Sequence, residues 1–298
     1  MTGGRGPVAA GALACALAAA GCGLGAGEKA GDVELTVTRD YGAEQLESTS
    51  EEDVAESETV IRLLDRNAEV STRYGGGFVQ SIDGIEGRRS GGRLLDWFFY
   101  VNGVESPVGA AEYELRDGYR VWWDYRDWTA AMRVPAVIGS FPEPFRSGYE
   151  GERHPVRVLC SGAAQACELA RSRIGTEAGT QEGSGPAIRV LVGAWARLRS
   201  DAAASLVEDG PGTSGVFADF LQRGGAWRLQ PLDAAGQPAG PPRVAGMVAA
   251  TRDGDEPPTW LVTGTDSAST EAAARLLDPD TLRDHYALAT GPTPLPVR

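Results

Sequence analysis

Side chains that commonly carry chemistry are scarce in this chain. Its 298 residues include two His (His154 and His285), one Lys (Lys29) and four Cys (Cys15, Cys22, Cys160 and Cys167). Two imidazoles do not make a multi-His metal site and leave few general bases. Ser161 and Ser214 are the nucleophiles a hydrolase would use, but Gly212-Thr213-Ser214-Gly215 lacks the closing glycine of a G-x-S-x-G elbow. His154 precedes Pro155 at a strand start and His285 falls in a predicted C-terminal helix, so neither has an implied serine partner. There is no G-x-G-x-x-G or P-loop, and the lone Lys29 stands near the N-terminus, which excludes a lysine-dependent nucleotide site. A formal net charge of −13 argues against a nucleic-acid partner, whose phosphates need a basic surface. The expectation is a protein that is not an enzyme, with no catalytic residues, no metal and no bound cofactor.

The cysteines point to a compartment. Arg5 supplies a short positive n-region, Val8 to Ala20 form an apolar stretch too short to span a bilayer, and Ala19-Ala20-Gly21 precede Cys22. This pattern resembles a bacterial lipobox, which implies a signal peptide over 1–21 and lipidation of Cys22. The protein would then be extracytoplasmic, anchored to the outer face of the cytoplasmic membrane. An ordinary signal peptide with an incidental cysteine is the alternative. The glycine-rich segment 22–31 reads as a flexible tether. In that oxidising location Cys160 and Cys167 form an even pair, read as a structural disulfide in preference to free thiols or a redox or metal site.

The elements of the first half follow from its periodicity. Val33, Leu35 and Val37 alternate along a half-buried strand over 32–38. Residues 44–58 contain Glu44, Glu47, Glu51, Glu52, Asp53, Glu56 and Glu58, read as a solvated acidic lead-in in preference to a cation site. Val60, Leu63 and Leu64 then mark a short amphipathic helix over 58–67. Three strand-like segments follow at 76–85, 96–106 and 119–128, with Asn102-Gly103 and Asp117-Gly118 as turn dipeptides. Tyr119, Val121, Trp123 and Tyr125 share one face of the last segment and should meet the helix, while Arg120, Trp122, Asp124 and Arg126 share the other, expected to face solvent. Trp97, Phe99 and Val101 alternate likewise with Phe98, Tyr100 and Asn102. An aromatic platform could result if Tyr100 or Phe98 lies beside Trp122, unless a second domain packs there and buries it.

The ordered set GGFVQSIDGI, DWFFYVNG, AAEYELRDG and an aromatic last strand resembles the transcobalamin-like C-terminal (DUF4430-type) module, a β-grasp domain of cobalamin carriers and bacterial surface lipoproteins. The resemblance covers about 95 residues, 32–130. It implies a β-grasp fold, surface display and a small ligand, a corrinoid such as cobalamin among the candidates. The candidate binding residues, taken from the aromatic strands themselves, are Trp97, Phe98, Tyr100, Asn102, Trp122 and Tyr125. The partner is either a small molecule in an uptake system or, for a non-catalytic scaffold, an envelope protein docked on the aromatic sheet face. Neither reading involves nucleic acid, and both touch the membrane through the lipid anchor alone.

Pro135, Pro142, Pro144 and Pro155 with several glycines mark 131–153 as an interdomain linker. Residues 154–298 read as an α/β domain of no recognised family. Apolar strands at 154–160 and 186–195 flank a helix over 163–173, predicting a parallel pair with a helical crossover. A helix over 196–208, hairpins at 215–222/226–232 and 244–254/258–266, a helix over 270–277 and a last helix from Asp278 to about Ala289 complete the expectation. The loop Gly264-Thr265-Asp266-Ser267 is read as a helix cap in preference to an anion site. The fold class is α+β, a β-grasp-like N-terminal domain followed by a mixed-sheet α/β domain.

Overall fold

In the computed structural model, residues 1–4, 29–55, 57–74, 77–175 and 185–298 are described. Most of the signal segment, Cys22 and most of the tether lie outside them.

The first half is built around β1 (Lys29–Arg39), whose Val33, Leu35 and Val37 are buried as their alternation predicts. Its antiparallel neighbour is β2 (Glu44–Ala55). The acidic run is thus an edge strand instead of a lead-in loop. Its side chains are mostly exposed, and only Val54 is buried. A strand polar on both faces gives no period-2 signal; the unpaired backbone edge of β1 recruits it, and its carboxylates discourage pairing beyond it. Next comes α1 (Val60–Asn67), which buries Val60, Leu63 and Leu64 on one stripe. Four short strands, β3 (Val70–Arg73), β4 (Phe78–Ile82), β5 (Ile85–Glu86) and β6 (Arg88–Ser90), lead to β7 (Arg93–Val101), β8 (Val104–Glu105) and β9 (Tyr119–Asp127). The main sheet runs β2-β1-β9-β7-β6, with β1 and β9 parallel and the remaining neighbours antiparallel. The helix packs on Tyr119, Val121, Trp123 and Tyr125 together with Val33, Leu35 and Val37, the face expected for it. This is a β-grasp arrangement.

The second half opens with β10 (Val156–Ser161), α2 (Ala164–Ile174) and β11 (Ile188–Ala194), the expected parallel pair with its crossover. Cys160 and Cys167 form a disulfide that ties the end of β10 to α2. The helix expected over 196–208 is broken into α3 (Trp195–Leu198), α4 (Ala202–Ser205) and a 3-10 turn (Leu206–Asp209). Asp201 causes the break. It is extended, and its carboxylate caps Ala203 N while pairing with Arg189, so it ends one helix and starts the next. After α5 (Pro211–Ser214) come the two hairpins, β12 (Ala218–Arg223) with β13 (Ala226–Pro231), and β14 (Gly246–Thr251) with β15 (Thr259–Gly264). Asp266 caps α6 (Ser267–Ala274) in a capping box with Ser269, as the loop was read. The last helix is a single turn, α7 (Pro279–Leu282), instead of running to Ala289. The chain then turns at Asp284 (φ 56°) and forms β16 (Ala287–Ala289) and β17 (Thr293–Leu295), because β14 offers an open edge to pair with. The second sheet runs β10-β11-β15-β14-β16-β17.

The segment 131–153 joins the two sheets and is tightly packed. Ala131, Val134 and Val137 enter one apolar cluster while Ala136, Ile138, Phe141 and Phe145 enter another, so neighbouring residues alternate between two cores. The first of these clusters is continuous across both halves: Tyr41, Tyr100 and Trp122 of the first sit with Trp195, Phe217, Met247 and Tyr286 of the second.

Candidate functional site

The six residues singled out for ligand binding divide between the two faces of the first sheet, as period-2 alternation requires. Phe98, Tyr100, Asn102 and Trp122 lie on one face. Tyr100 and Trp122 are directly opposed across β7 and β9, with ring centroids 5.7 Å apart, so the juxtaposition that would make a platform exists. It is not exposed. Tyr100 is 0 % and Trp122 2 % accessible. Tyr286 from the second half stands edge-on to both, at 5.7 and 5.2 Å, and to Tyr41 at 5.0 Å. Asn102 is buried too. It turns the hairpin with φ 53°, donates to Gly148 O at 2.6 Å and accepts from Arg120 N at 2.8 Å, which is a structural role.

The charges expected on a solvent face are buried with the aromatic rings. Asp124 Oδ1 accepts from Thr38 Oγ1 (2.6 Å) and Gly42 N (3.1 Å), and Oδ2 accepts from Tyr41 N (3.0 Å) and Tyr286 OH (3.0 Å). Thr38 in turn accepts from Trp122 Nε1 at 2.8 Å. Burial pushes the Asp124 carboxyl up, while the donors and nearby Arg126 pull against it. Arg126, 0 % accessible, donates to Ala131 O and Met132 O and lies over the Phe98 ring at 3.8 Å. Burial pushes the Tyr100 phenol up to about 12. Alternation along β9 correctly grouped Trp122, Asp124 and Arg126. Tyr41 and Tyr286, far from them in sequence, left no local signal. Of the two outcomes open for this face, an exposed platform and burial by the second half, the structure has the second, and the charges form a polar network sealed between two sheets.

Of the hydrolase candidates, Ser161 ends β10. Ser214 is buried, donates to Gly210 O and accepts from Val216 N. His154 stacks on Tyr149 at 4.4 Å, and burial lowers His285 below the ordinary imidazole range.

The other two binding candidates, Trp97 and Tyr125, lie on the opposite face, where α1 packs. They are directly paired, with centroids 5.2 Å apart. A helix of eight residues is about 12 Å long, whereas β1 spans about 36 Å, so the helix does not reach one end of this face. There the sheet presents Arg39, Tyr125, Leu95, Arg93 and Arg88. In register, Arg39 pairs with Tyr125, Arg88 with Leu95 and Ser90 with Arg93, which puts all of them on one side. The turn into β5 forms the opposing wall: Trp97 Nε1 donates to Ile85 O at 2.8 Å and Tyr125 OH to Glu86 O at 2.7 Å. Between them lies an open groove of about 540 Å3. Asp40 and Glu86 line it together with the three arginines. The scale is that of a small-molecule site.

Residues 57–127 match the model of a domain of unknown function, DUF4430. The match contains α1 and the strands from β3 to β9, and so both the groove wall and the covered aromatic face. No curated protein matches the chain.

Proposed function

We propose that this chain is a lipid-anchored extracytoplasmic binding protein without catalytic activity, and that it takes a small ligand in the groove at the uncovered end of its first sheet. The groove carries this reading. It is framed almost wholly by the DUF4430 segment and stays open where the second half covers the aromatic face. Its position also suits display. The chain enters β1 at Lys29 and reaches the groove at Arg39 and Asp40, at the opposite end of a strand about 36 Å long, so an N-terminal anchor would be joined to the end of β1 away from the groove.

The transcobalamin-like resemblance makes cobalamin the first titrant, followed by other small metabolites of an uptake system. Trp97, hydrogen-bonded to the groove wall through Ile85, supplies a reporter. Titration of the full chain up to about 100 μM ligand should fill a site of micromolar affinity and change tryptophan emission saturably. Arg93→Gln should weaken that response. If no titrant changes the emission or gives heat, the small-ligand reading is lost. A scaffold that docks an envelope protein would need a surface other than the aromatic sheet face, which is buried.

A further inference from the structure

The charges of the groove narrow its ligand. Building on the small-ligand reading above, we infer that the groove takes a zwitterion of the amino-acid or short-peptide class, its carboxylate held by Arg88 and Arg93 and its ammonium by Asp40 and Glu86.

The arginines differ in how far they are already engaged. Arg39 spends Nε and one NH2 on a single oxygen of Glu44. Arg93 binds Asp127 through Nε alone, at 2.9 Å, which leaves both NH2 groups of its fork; its side chain is 55 % accessible. Arg88 forms no ion pair among the described residues and acts instead on the Tyr125 phenol. Arg88 and Arg93 stand on the same face of one hairpin, on strands paired Arg88 to Leu95 and Ser90 to Arg93, within reach of a common carboxylate. A polyanion is disfavoured, because Asp40 and Glu86 line the same groove and would repel a second negative group. Those acids complement a cation. Ile85, Leu95 and Tyr125 line the same groove and offer apolar contact to a side chain. One carboxylate, one ammonium and an apolar body together describe a free-ended peptide. A volume of about 540 Å3 accommodates more than a single amino acid.

The test titrates the full chain with the tripeptide Ala-Leu-Ala, by calorimetry and tryptophan emission, in three forms: free-ended, C-terminally amidated and N-acetylated. The free-ended peptide should bind. Amidation, or the double substitution Arg88→Gln with Arg93→Gln, should weaken binding about tenfold or more, and acetylation several-fold. Unchanged unfolding midpoints would show that the double variant is still folded. Equal binding of the free and amidated peptides, or no binding of the free one, overturns the assignment. If cobalamin or another titrant binds at Arg93 while the tripeptide does not, the small-ligand reading survives and only the zwitterion is wrong. If nothing binds there, both are lost.

Discussion

Two regions of the same sheet carry the same kinds of side chain and do opposite things. On one face Tyr100, Trp122, Phe98 and Arg126 are sealed against the second half; at the end of the other that the helix does not reach, Arg88 and Arg93 meet solvent above the nearly buried Tyr125 and Leu95. The difference lies in what is packed above them. Arg126 is enclosed by two backbone carbonyls and the rings of Phe98 and Tyr41, whereas Arg93 has one ion-pair partner among the described residues and a side chain 55 % accessible. An aromatic and arginine-rich surface is a binding site only where the fold leaves it uncovered.

Breaking the covered face should have the largest effect. Trp122→Ala removes a ring enclosed by Tyr100 and Tyr286 and its bond to Thr38, and should cost about 3–5 kcal/mol in denaturant unfolding. A cost below about 1 kcal/mol would mean the two halves are not packed as described. Arg126→Gln should cost about 3 kcal/mol, since it removes a charged donor from the Ala131 and Met132 carbonyls inside the seam. Replacing Cys160 and Cys167 by Ser opens an eight-residue loop remote from both regions and should cost about 2.5 kcal/mol, with groove binding unchanged in titration.

A pH effect sharpens the comparison at the seam. Burial pushes the Asp284 carboxyl up to about 6, with Arg283 pulling it down and Asp124 raising it further. A folded value above the ordinary carboxylate value of 3.8 means that the native state binds the proton more tightly than the unfolded chain. Stability tied to Asp284 is therefore present at low pH and is lost as pH rises from about 4 through about 6. Asp284→Asn should stabilise the protein by about 1–2 kcal/mol at pH 7, and the gain should vanish near pH 4 in parallel thermal melts. The smallest effect belongs to the open end. Arg93→Gln should change stability by less than about 1 kcal/mol, because its ion pair is solvent-screened. The contrast between Arg126 and Arg93, one residue type in two burials, checks the whole comparison.

Much of the fold was legible in the residue pattern. Alternation placed Val33, Leu35 and Val37 inward and assigned Tyr119, Val121, Trp123 and Tyr125 to the helix face. The parallel pair around α2, both hairpins and the Asp266 cap followed from apolar runs, glycine turns and capping chemistry. Elements that depend on a distant partner were not legible. β2 exists because β1 has an open edge, and β16 replaces a predicted helix because β14 has one. For the site, alternation separated Trp97 from Phe98 and Tyr100, and Tyr125 from Trp122, but the register that sets Tyr100 beside Trp122 and Trp97 beside Tyr125, and the choice of which face is covered, depend on the tertiary structure.

The sequence by itself determined the α+β class, the Cys160–Cys167 pair and the period-2 partition of the aromatic strands, because those rest on short-range spacing and side-chain chemistry. Tertiary structure alone decided that Tyr286 fills the space above Trp122, that Asp124 and Arg126 are interior, and that the short α1 leaves three arginines around an open groove. Burial is a property of what packs on a surface, and the elements that pack on this one come from the other half of the chain.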